Sequence, residues 1–368
     1  MKPIQSSPSA RCTPPTDSTL TDAAAEVRQA EARLDRLWQR GRGFLGCRYA
    51  VLGGAMSWVS EHHLVAAISN AGGFGVIAGG SLGPDELATE IAATQARTSA
   101  PFGVNLITLH PALDRLIEVC LDSGVSHVVL GGGVPPAPAI RRLKEGRRKV
   151  ICFTPSVALA KRLVRSGADA LVIEGAEAGG HIGPVATSVL AQEILPQVRD
   201  VPVFVAGGIG RGDAIVSYLQ MGASGCQLGT RFVCASESIA HPAFKQAFIR
   251  ASSRDAVVSV QIDPDLPVIP VRAIANGGSE RFNATQRQVA ARYRTGELSQ
   301  EAAQLEIELF WAGALKRAVL DGDVENGSLM AGQSVGMVNR EVPTAEIFRE
   351  LLDQALAALI QQQRREAG

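Results

Sequence analysis

A glycine-rich segment that contains one histidine, residues 175–183, has the residue types of an active-site loop. It follows residues 170–173, a short apolar run that predicts a buried strand. Glycine has no Cβ, so its backbone can approach a ligand closely. The imidazole of His181 can accept or donate a proton near neutral pH. Together these features predict proton-transfer chemistry where the loop leaves the strand.

The chain has five other histidines, all at predicted element boundaries: His62, His63, His110, His127 and His241. Only His181 follows the carboxyl end of a predicted strand, which is where barrel enzymes place their chemistry. A catalytic or substrate-contacting role is therefore predicted for His181, with a purely structural loop role as the alternative. Glu174 and Glu177 flank the same loop. We interpret one of them as orienting backbone or cofactor and Glu177 as solvated, with a catalytic pair of carboxylates as the alternative.

Two more glycine-rich turns follow the seventh and eighth apolar runs of the chain. One contains Gly207 and Gly208, and the other contains Gly229 and Thr230. In barrels, the loops after strands seven and eight commonly bind phosphate through backbone N–H groups. The pattern predicts a phosphate site, and the alternative is that these glycines only make tight turns.

Short apolar runs alternate with helical segments from residue 49 to about residue 250. Eight runs can be counted, at residues 49–52, 74–78, 102–106, 127–130, 150–153, 170–173, 203–206 and 225–228. Eight strands, each followed by a helix, predict an α/β fold of the (β/α)₈ TIM-barrel type. An open doubly wound sheet uses the same alternation and is the alternative.

The segments outside the predicted barrel, which covers 45–254, differ from it in composition. Residues 1–20 are rich in Pro, Ser and Thr and are predicted to be disordered, and residues 21–40 predict an amphipathic helix. Residues 255–335 predict an inserted, mainly helical lid segment over the barrel mouth, with Trp311 interpreted as part of an apolar mouth. Residues 336–368 predict a C-terminal helix that packs on the barrel.

Composition excludes several classes of partner. The 36 basic and 36 acidic residues give zero net charge, which argues against nucleic-acid binding. No apolar run approaches the roughly 20 residues of a membrane span, and the amino terminus lacks a signal-peptide core. The six cysteines form no C-x-x-C pair. We therefore expect a cytoplasmic protein with no nucleic-acid or membrane partner and no metal.

Residues 174–183, 206–209 and 227–232 together resemble motifs of the nitronate monooxygenase family, formerly called 2-nitropropane dioxygenases. That family includes the flavin-containing enoyl-acyl-carrier-protein reductase as a close relative. The resemblance extends from about residue 49 to residue 338.

The resemblance implies an FMN-binding barrel and assigns roles to particular residues. His181 matches the catalytic histidine of that family. The FMN-binding positions match Gly54, Ala55, Met56, Asn105, Ala178, Gly179, Gly180, Gly183, Gly207, Gly208, Gln227, Leu228, Gly229 and Thr230. Gly54 and Ala55 stand where the family usually has Ala-Pro, which is a departure from its pattern.

The implied activity is oxidation of alkyl nitronates with O₂ to carbonyl compounds and nitrite, with His181 as the base that can take the α-proton of a nitroalkane. The wording His-Ile-Gly at 181–183 is more similar to the reductase branch. NAD(P)H-dependent reduction of an enoyl thioester through FMN is therefore the alternative. A non-catalytic flavin- or phosphate-binding protein is a third hypothesis. The expected partners are a small-molecule substrate, O₂ or NAD(P)H, and a second copy of the chain in a homodimer.

Overall fold

The computed structural model describes the backbone of residues 17–367, and the side chains of residues 24–367 other than residue 312. Residues 1–16, most of the segment predicted to be disordered, lie outside this range. The amino-terminal helix α1 runs Asp17–Leu45, so the predicted bounds of 21–40 were too short at both ends. Leu45 is buried, which favours continuation of the helix to that residue.

The strands are short and almost entirely buried. In chain order they are β1 Val51–Gly53, β2 Val76–Ala78, β3 Gly103–Ile107, β4 His127–Gly131, β5 Lys149–Phe153, β6 Ala170–Glu174, β7 Gly180–His181, β8 Val203–Ala206, β9 Gly225–Leu228, β10 Ala256–Val258, β11 Val271–Ile274 and β12 Leu329–Met330. All eight strands predicted for the barrel are present, within a few residues of their predicted bounds. They are β1 to β6, β8 and β9.

Helices follow the barrel strands and cover the outside of the sheet. After α1 they are α2 His62–Asn70, α3 Pro84–Gln95, α4 Leu113–Asp122, α5 Ala137–Glu145, α6 Val157–Arg165, α7 Thr187–Ile194, α8 Gly212–Gln220, α9 Thr230–Val233, α10 Pro242–Arg250, α11 Gly277–Arg294, α12 Gln300–Lys316 and α13 Thr344–Ala367. A π-helical segment, Arg317–Asp321, continues α12.

The eight parallel strands form a barrel, not the open sheet considered as the alternative. They are paired in the order β1-β9-β8-β6-β5-β4-β3-β2. The ring is completed between β1 and β2, where Leu52 bridges Phe74 and the N–H of Phe74 donates to the carbonyl of Val51 at 2.9 Å. Both faces of the parallel sheet are covered, so its strand residues are mostly apolar. These residues belong to the main hydrophobic core.

Helix α1 covers the amino-terminal end of the barrel. The carbonyl of Phe44 accepts a hydrogen bond from Nε2 of His127, at the start of β4, over 3.1 Å. Lys149, at the start of β5, donates to the same carbonyl. With this end covered, the carboxyl ends of the strands and their loops remain as the place for a site.

The lid contains a small antiparallel sheet that the sequence did not indicate. Strand β11 pairs with β10, β12 and β7, so the segment Gly180–His181 belongs to this sheet. The register pairs Arg272 with Gly180 and Val258. Such short strands carry too few alternating residues to give a sequence signal. The lid is therefore mainly helical, through α11 and α12, with a four-stranded sheet at its base.

No helix within residues 17–367 combines the length and the apolar character that a membrane span requires.

Candidate active site

Two glycine turns lie side by side at the carboxyl end of the barrel. Ala206, the last residue of β8, is in register with Gln227 near the end of β9. Gly207 and Gly208 then adopt φ values of +94° and +73°, a left-handed backbone that favours glycine. Among the described residues, no acceptor receives a backbone N–H from Gly207, Gly208, Gly229 or Thr230. These turns present free N–H donors, which is what a phosphate group requires.

The loop after β1 packs directly on the second turn. The N–H of Gly54 donates to the carbonyl of Leu228 at 2.8 Å. A Cβ on Gly54 would lie 3.4 Å from the Gln227 side chain, and a Cβ on Gly229 would lie 3.4 Å from Sδ of Met56. Ala55 lies between the two contact points, and the Leu228 side chain is buried in the core. Residues 54–56 and 227–230, predicted from separate motifs, therefore form one surface.

The loop that carries His181 packs on the first turn. A Cβ on Gly207 would lie 3.2 Å from the amide nitrogen of Ala178 and 3.0 Å from Oγ1 of Thr187. Glu177 was interpreted as solvated, but it is half-buried and hydrogen-bonded. Its Oε2 accepts from the N–H and the hydroxyl of Thr187, at 2.8 and 2.9 Å. The carboxylate therefore caps helix α7, because a helix amino terminus has unpaired N–H groups.

The lid closes over the middle of the same loop. A Cβ on Gly179 would clash with Ala331 and Gly332, so the two backbones are in contact. The N–H of Gly332 donates to Oγ1 of Thr230 at 2.9 Å, which leaves the Thr230 hydroxyl hydrogen available to a ligand. A Cβ on Gly183 would meet nothing within 4 Å, so that end of the loop is open.

Two buried amides line the barrel end with unused hydrogen-bonding capacity. The Gln227 side chain is 8% exposed, and in the part of the chain that the structure describes it forms no hydrogen bond. Asn105, on β3, donates from Nδ2 to the carbonyl of Val129 at 3.3 Å, while its Oδ1 receives no hydrogen bond from the described residues. An amide both donates and accepts hydrogen bonds, so a polar ligand at this position can use this free capacity.

His181 is held by the lid and remains accessible. Its backbone pairs with Val271 of β11, and its side chain is 46% exposed. Nε2 of the ring lies 3.1 Å from Oε2 of Glu308, on helix α12. Sequence reasoning missed Glu308 because a single glutamate on a polar helix face carries no signal of a partner 127 residues away.

Two charged groups behind the loop were not assigned a definite role by the sequence. Glu174 ends β6, and burial raises the pKa of its carboxyl to about 7. Arg272 of β11 is buried and donates from Nε to the carbonyl of Ala176 at 2.9 Å. Burial lowers the pKa of Arg272, and the nearby Glu177 carboxylate opposes that shift. Arg272 therefore ties the His181 loop to the lid.

Trp311 does not line the barrel mouth, so its interpretation from the sequence was wrong. It is buried in the separate apolar core of the lid, with its ring centroid 4.2 Å from that of Phe282. An apolar helix face gives the same sequence pattern whether it faces a mouth or a local core. Trp58, after β1, is partly exposed and lies under Lys316, whose Nζ is 4.8 Å from the ring centroid.

The site has the chemistry that FMN requires. The free N–H groups of the two turns suit its phosphate, and the unused Gln227 and Asn105 amides suit the polar edge of its ring. Glycine at 207 and 208 lets this turn pack against the His181 loop, since a Cβ at either position would meet that loop at about 3 Å. These observations fit an FMN site built from residues 54–56, 105, 178–183, 207–208 and 227–230.

Comparison with known proteins agrees with this architecture. The family model described as nitronate monooxygenase matches residues 40–354. A relative from Mycobacterium tuberculosis, (3aS,4S,5R,7aS)-5-hydroxy-7a-methyl-1-oxo-octahydro-1H-indene-4-carboxyl-CoA dehydrogenase, is 31% identical over 86% of this chain and 95% of its own length.

Solved structures give the same result. FabK from Thermotoga maritima is 35% identical, with a TM-score of 0.79 over 89% of this chain and 98% of its own. A nitroalkane oxidase from Streptomyces ansochromogenes is 25% identical, with a TM-score of 0.70 over 85% of this chain and 97% of its own.

Proposed function

The chain belongs to the nitronate monooxygenase family and is an oxidoreductase of that family, and we propose that it uses FMN to oxidise alkyl nitronates with O₂ to carbonyl compounds and nitrite. The observation that carries this proposal is the contact between the two parts of the site. The loop that bears His181 lies against the Gly207–Gly208 turn, since a Cβ added at Gly207 would lie 3.2 Å from the amide nitrogen of Ala178.

The residues of this chain then have separate tasks. The turns at 207–208 and 229–230 hold the phosphate through their N–H groups. Gln227 and Asn105 orient the ring through their amides, and Met56 covers one edge of the second turn. When bound, FMN supplies a ring that exchanges electrons with substrate and O₂.

His181 would move the proton. A neutral nitroalkane must lose its α-proton to become a nitronate, and an accessible imidazole can accept that proton. The accessible side chain of His181 and the open position beside Gly183 leave room for a substrate to approach the ring.

Reduction of an enoyl thioester with NAD(P)H is the second candidate, and two similarities favour it. FabK, the flavin enoyl-acyl-carrier-protein reductase, is 35% identical to this chain, and the name of the Mycobacterium tuberculosis relative is that of a carboxyl-CoA dehydrogenase. The same flavin position and the same histidine would serve a thioester substrate.

Stopped-flow mixing of the FMN-loaded protein separates the two functions. Under anaerobic conditions NADH should bleach the flavin slowly or not at all, while propionate 3-nitronate in air should cause oxygen uptake and release of nitrite. Rapid bleaching by NADH, with no oxygen uptake on nitronate, would instead assign the reductase function.

A further inference from the structure

Glu308 of helix α12 has both carboxylate oxygens occupied in a way that constrains His181. Oε1 accepts the backbone N–H of Ile269 at 3.1 Å, and Oε2 lies 3.1 Å from Nε2 of His181. The first bond comes from backbone and fixes the direction of the carboxylate. The second oxygen is thereby directed at the imidazole.

The same lid segment also fixes the backbone of His181. Val271 pairs with His181, and the N–H of Ile182 donates to the carbonyl of Pro270 at 2.9 Å. Residues 269–271 therefore hold the partner carboxylate, the following peptide and the histidine itself. Backbone contacts of three consecutive lid residues therefore help to fix the position of the Glu308 carboxylate relative to His181.

Among the side chains that the structure describes, no lysine or arginine forms a salt bridge with Glu308 in place of His181. Within the described residues, its only salt-bridge partner is His181. The neighbouring lid carboxylates Glu297 and Glu306 instead form salt bridges with Arg292, with N···O distances of 2.7 and 2.8 Å. His181 is therefore the only charged or titratable partner of the Glu308 carboxylate among the described residues, beside the N–H of Ile269.

An ionised carboxylate can only accept hydrogen bonds, so the ring nitrogen that faces it must carry hydrogen. We propose that Glu308 is a positioning residue that holds neutral His181 with its hydrogen on Nε2 and leaves Nδ1 as the nitrogen that receives the substrate proton. This inference rests on the proposed function only in giving His181 a proton to move. A third group that orients the imidazole is a recurrent arrangement in enzymes that use histidine as a base.

Two substitutions at the same position distinguish this role from a packing role. In Glu308→Gln, the amide oxygen accepts from Ile269, so the amide NH₂ faces Nε2 and drives the hydrogen to Nδ1. In Glu308→Ala, the ring is free to adopt either form. Turnover of neutral nitroethane should therefore fall by about 10²–10⁴-fold relative to the wild type in Glu308→Gln. The fall in Glu308→Ala should be smaller. A packing role requires the opposite order, because glutamine has nearly the shape of glutamate.

Pre-formed ethyl nitronate provides the internal control, because it has already lost its α-proton. Both variants should oxidise it at close to the wild-type rate. Glu306 lies on the same helix, and its carboxylate pairs with Arg292. Glu306→Gln should therefore leave the turnover of both substrates unchanged. An equal loss on nitroethane and on the nitronate would contradict a role in proton transfer.

A spectroscopic test needs neither FMN nor substrate. Long-range ¹H–¹⁵N correlation of ¹⁵N-histidine-labelled apoprotein at about pH 8.5, where an imidazole is neutral, reports which ring nitrogen carries hydrogen. The His181 signals are identified by their loss in His181→Asn. We expect hydrogen on Nε2 in the wild type, on Nδ1 in Glu308→Gln and a mixture in Glu308→Ala.

The same tautomer in all three proteins would overturn the proposal. A tautomer change without nitronate turnover would support Glu308 as the positioning residue and reject the proposed function separately.

Discussion

Gly208 lies directly against Glu177: a Cβ at position 208 would come within 3.0 Å of Cβ of Glu177. Glu177 in turn caps helix α7 through Thr187, so it cannot move without loss of that cap. The glycine turn, the His181 loop and the start of α7 are therefore one connected unit.

Replacement of Gly208 by alanine should weaken FMN binding beyond its cost in stability. The matched control is Gly124→Ala, since Gly124 has φ +75° against +73° for Gly208, but a Cβ at position 124 would meet nothing within 4 Å. Both variants should lose about 1 kcal/mol of stability from the left-handed backbone. Only Gly208→Ala should also lose about tenfold in FMN affinity, equivalent to 1.4 kcal/mol. Equal FMN affinity in the two variants, measured by fluorescence titration, would show that the turn does not contact the cofactor.

Gln227→Leu should separate cofactor binding from stability. Since the Gln227 amide has no described hydrogen-bond partner and the residue is 8% exposed, leucine at this position should leave the stability of the apoprotein unchanged or raise it by up to about 1 kcal/mol. FMN affinity should fall about tenfold or more, because a ligand hydrogen bond is lost. Asn105→Leu gives the contrast: it also removes the bond to Val129, so both urea stability and FMN affinity should fall. A less stable Gln227→Leu apoprotein would mean that the amide already has a structural partner.

Stability at acid pH should depend on His127. Burial lowers its pKa to about 4, and the carbonyl of Phe44 opposes the shift. The unfolded chain binds a proton below about pH 6.5, while the folded chain resists it until about pH 4, so stability falls as pH decreases through this window. The contribution amounts to about 3 kcal/mol. Urea unfolding of His127→Gln should lack this dependence, and an unchanged pH profile would contradict a neutral buried His127.

The contribution of Glu174 to stability should change with pH in the direction opposite to that of His127. Burial raises its pKa to about 7, from 4.5. The unfolded chain releases this proton above about pH 4.5 and the folded chain only near pH 7, so stability falls as pH rises between these values. Because the side chain is only partly buried by area, the contribution should be about 1–2 kcal/mol. Glu174→Gln should become more stable relative to the wild type from pH 5 to pH 8, as measured by urea unfolding. A constant difference would show that Glu174 ionises normally.

The barrel and the proximity of the candidate site residues to one another could be predicted from the sequence because their signals are local. Apolar runs of four or five residues mark β3 to β6, and the glycines at 207–208 and 229 follow strand ends. Parallel strands place their carboxyl ends at one edge, so the turns had to meet. The family was recognised from the same local motifs, and the match over residues 40–354 confirms it.

The lid could not be predicted to the same depth because its contacts are long-range. Residues Gly180–His181 pair with β11, about 90 residues further along the chain, through a ladder too short to show alternation. The contact of Glu308 with His181 depends on how α12 docks, which no local pattern encodes. Trp311 illustrates the same difficulty, since the sequence does not distinguish a residue that lines the barrel mouth from one that belongs to the core of the lid.

The central claim is that His181 moves a substrate proton beside an FMN bound by the glycine turns. The most direct measurement is turnover of nitroethane and of ethyl nitronate, side by side, by FMN-loaded wild type and His181→Asn. We expect the variant to retain FMN and to oxidise the nitronate, but to lose about 10²–10⁴-fold on nitroethane. A variant that keeps FMN and oxidises nitroethane at the wild-type rate would contradict the claim.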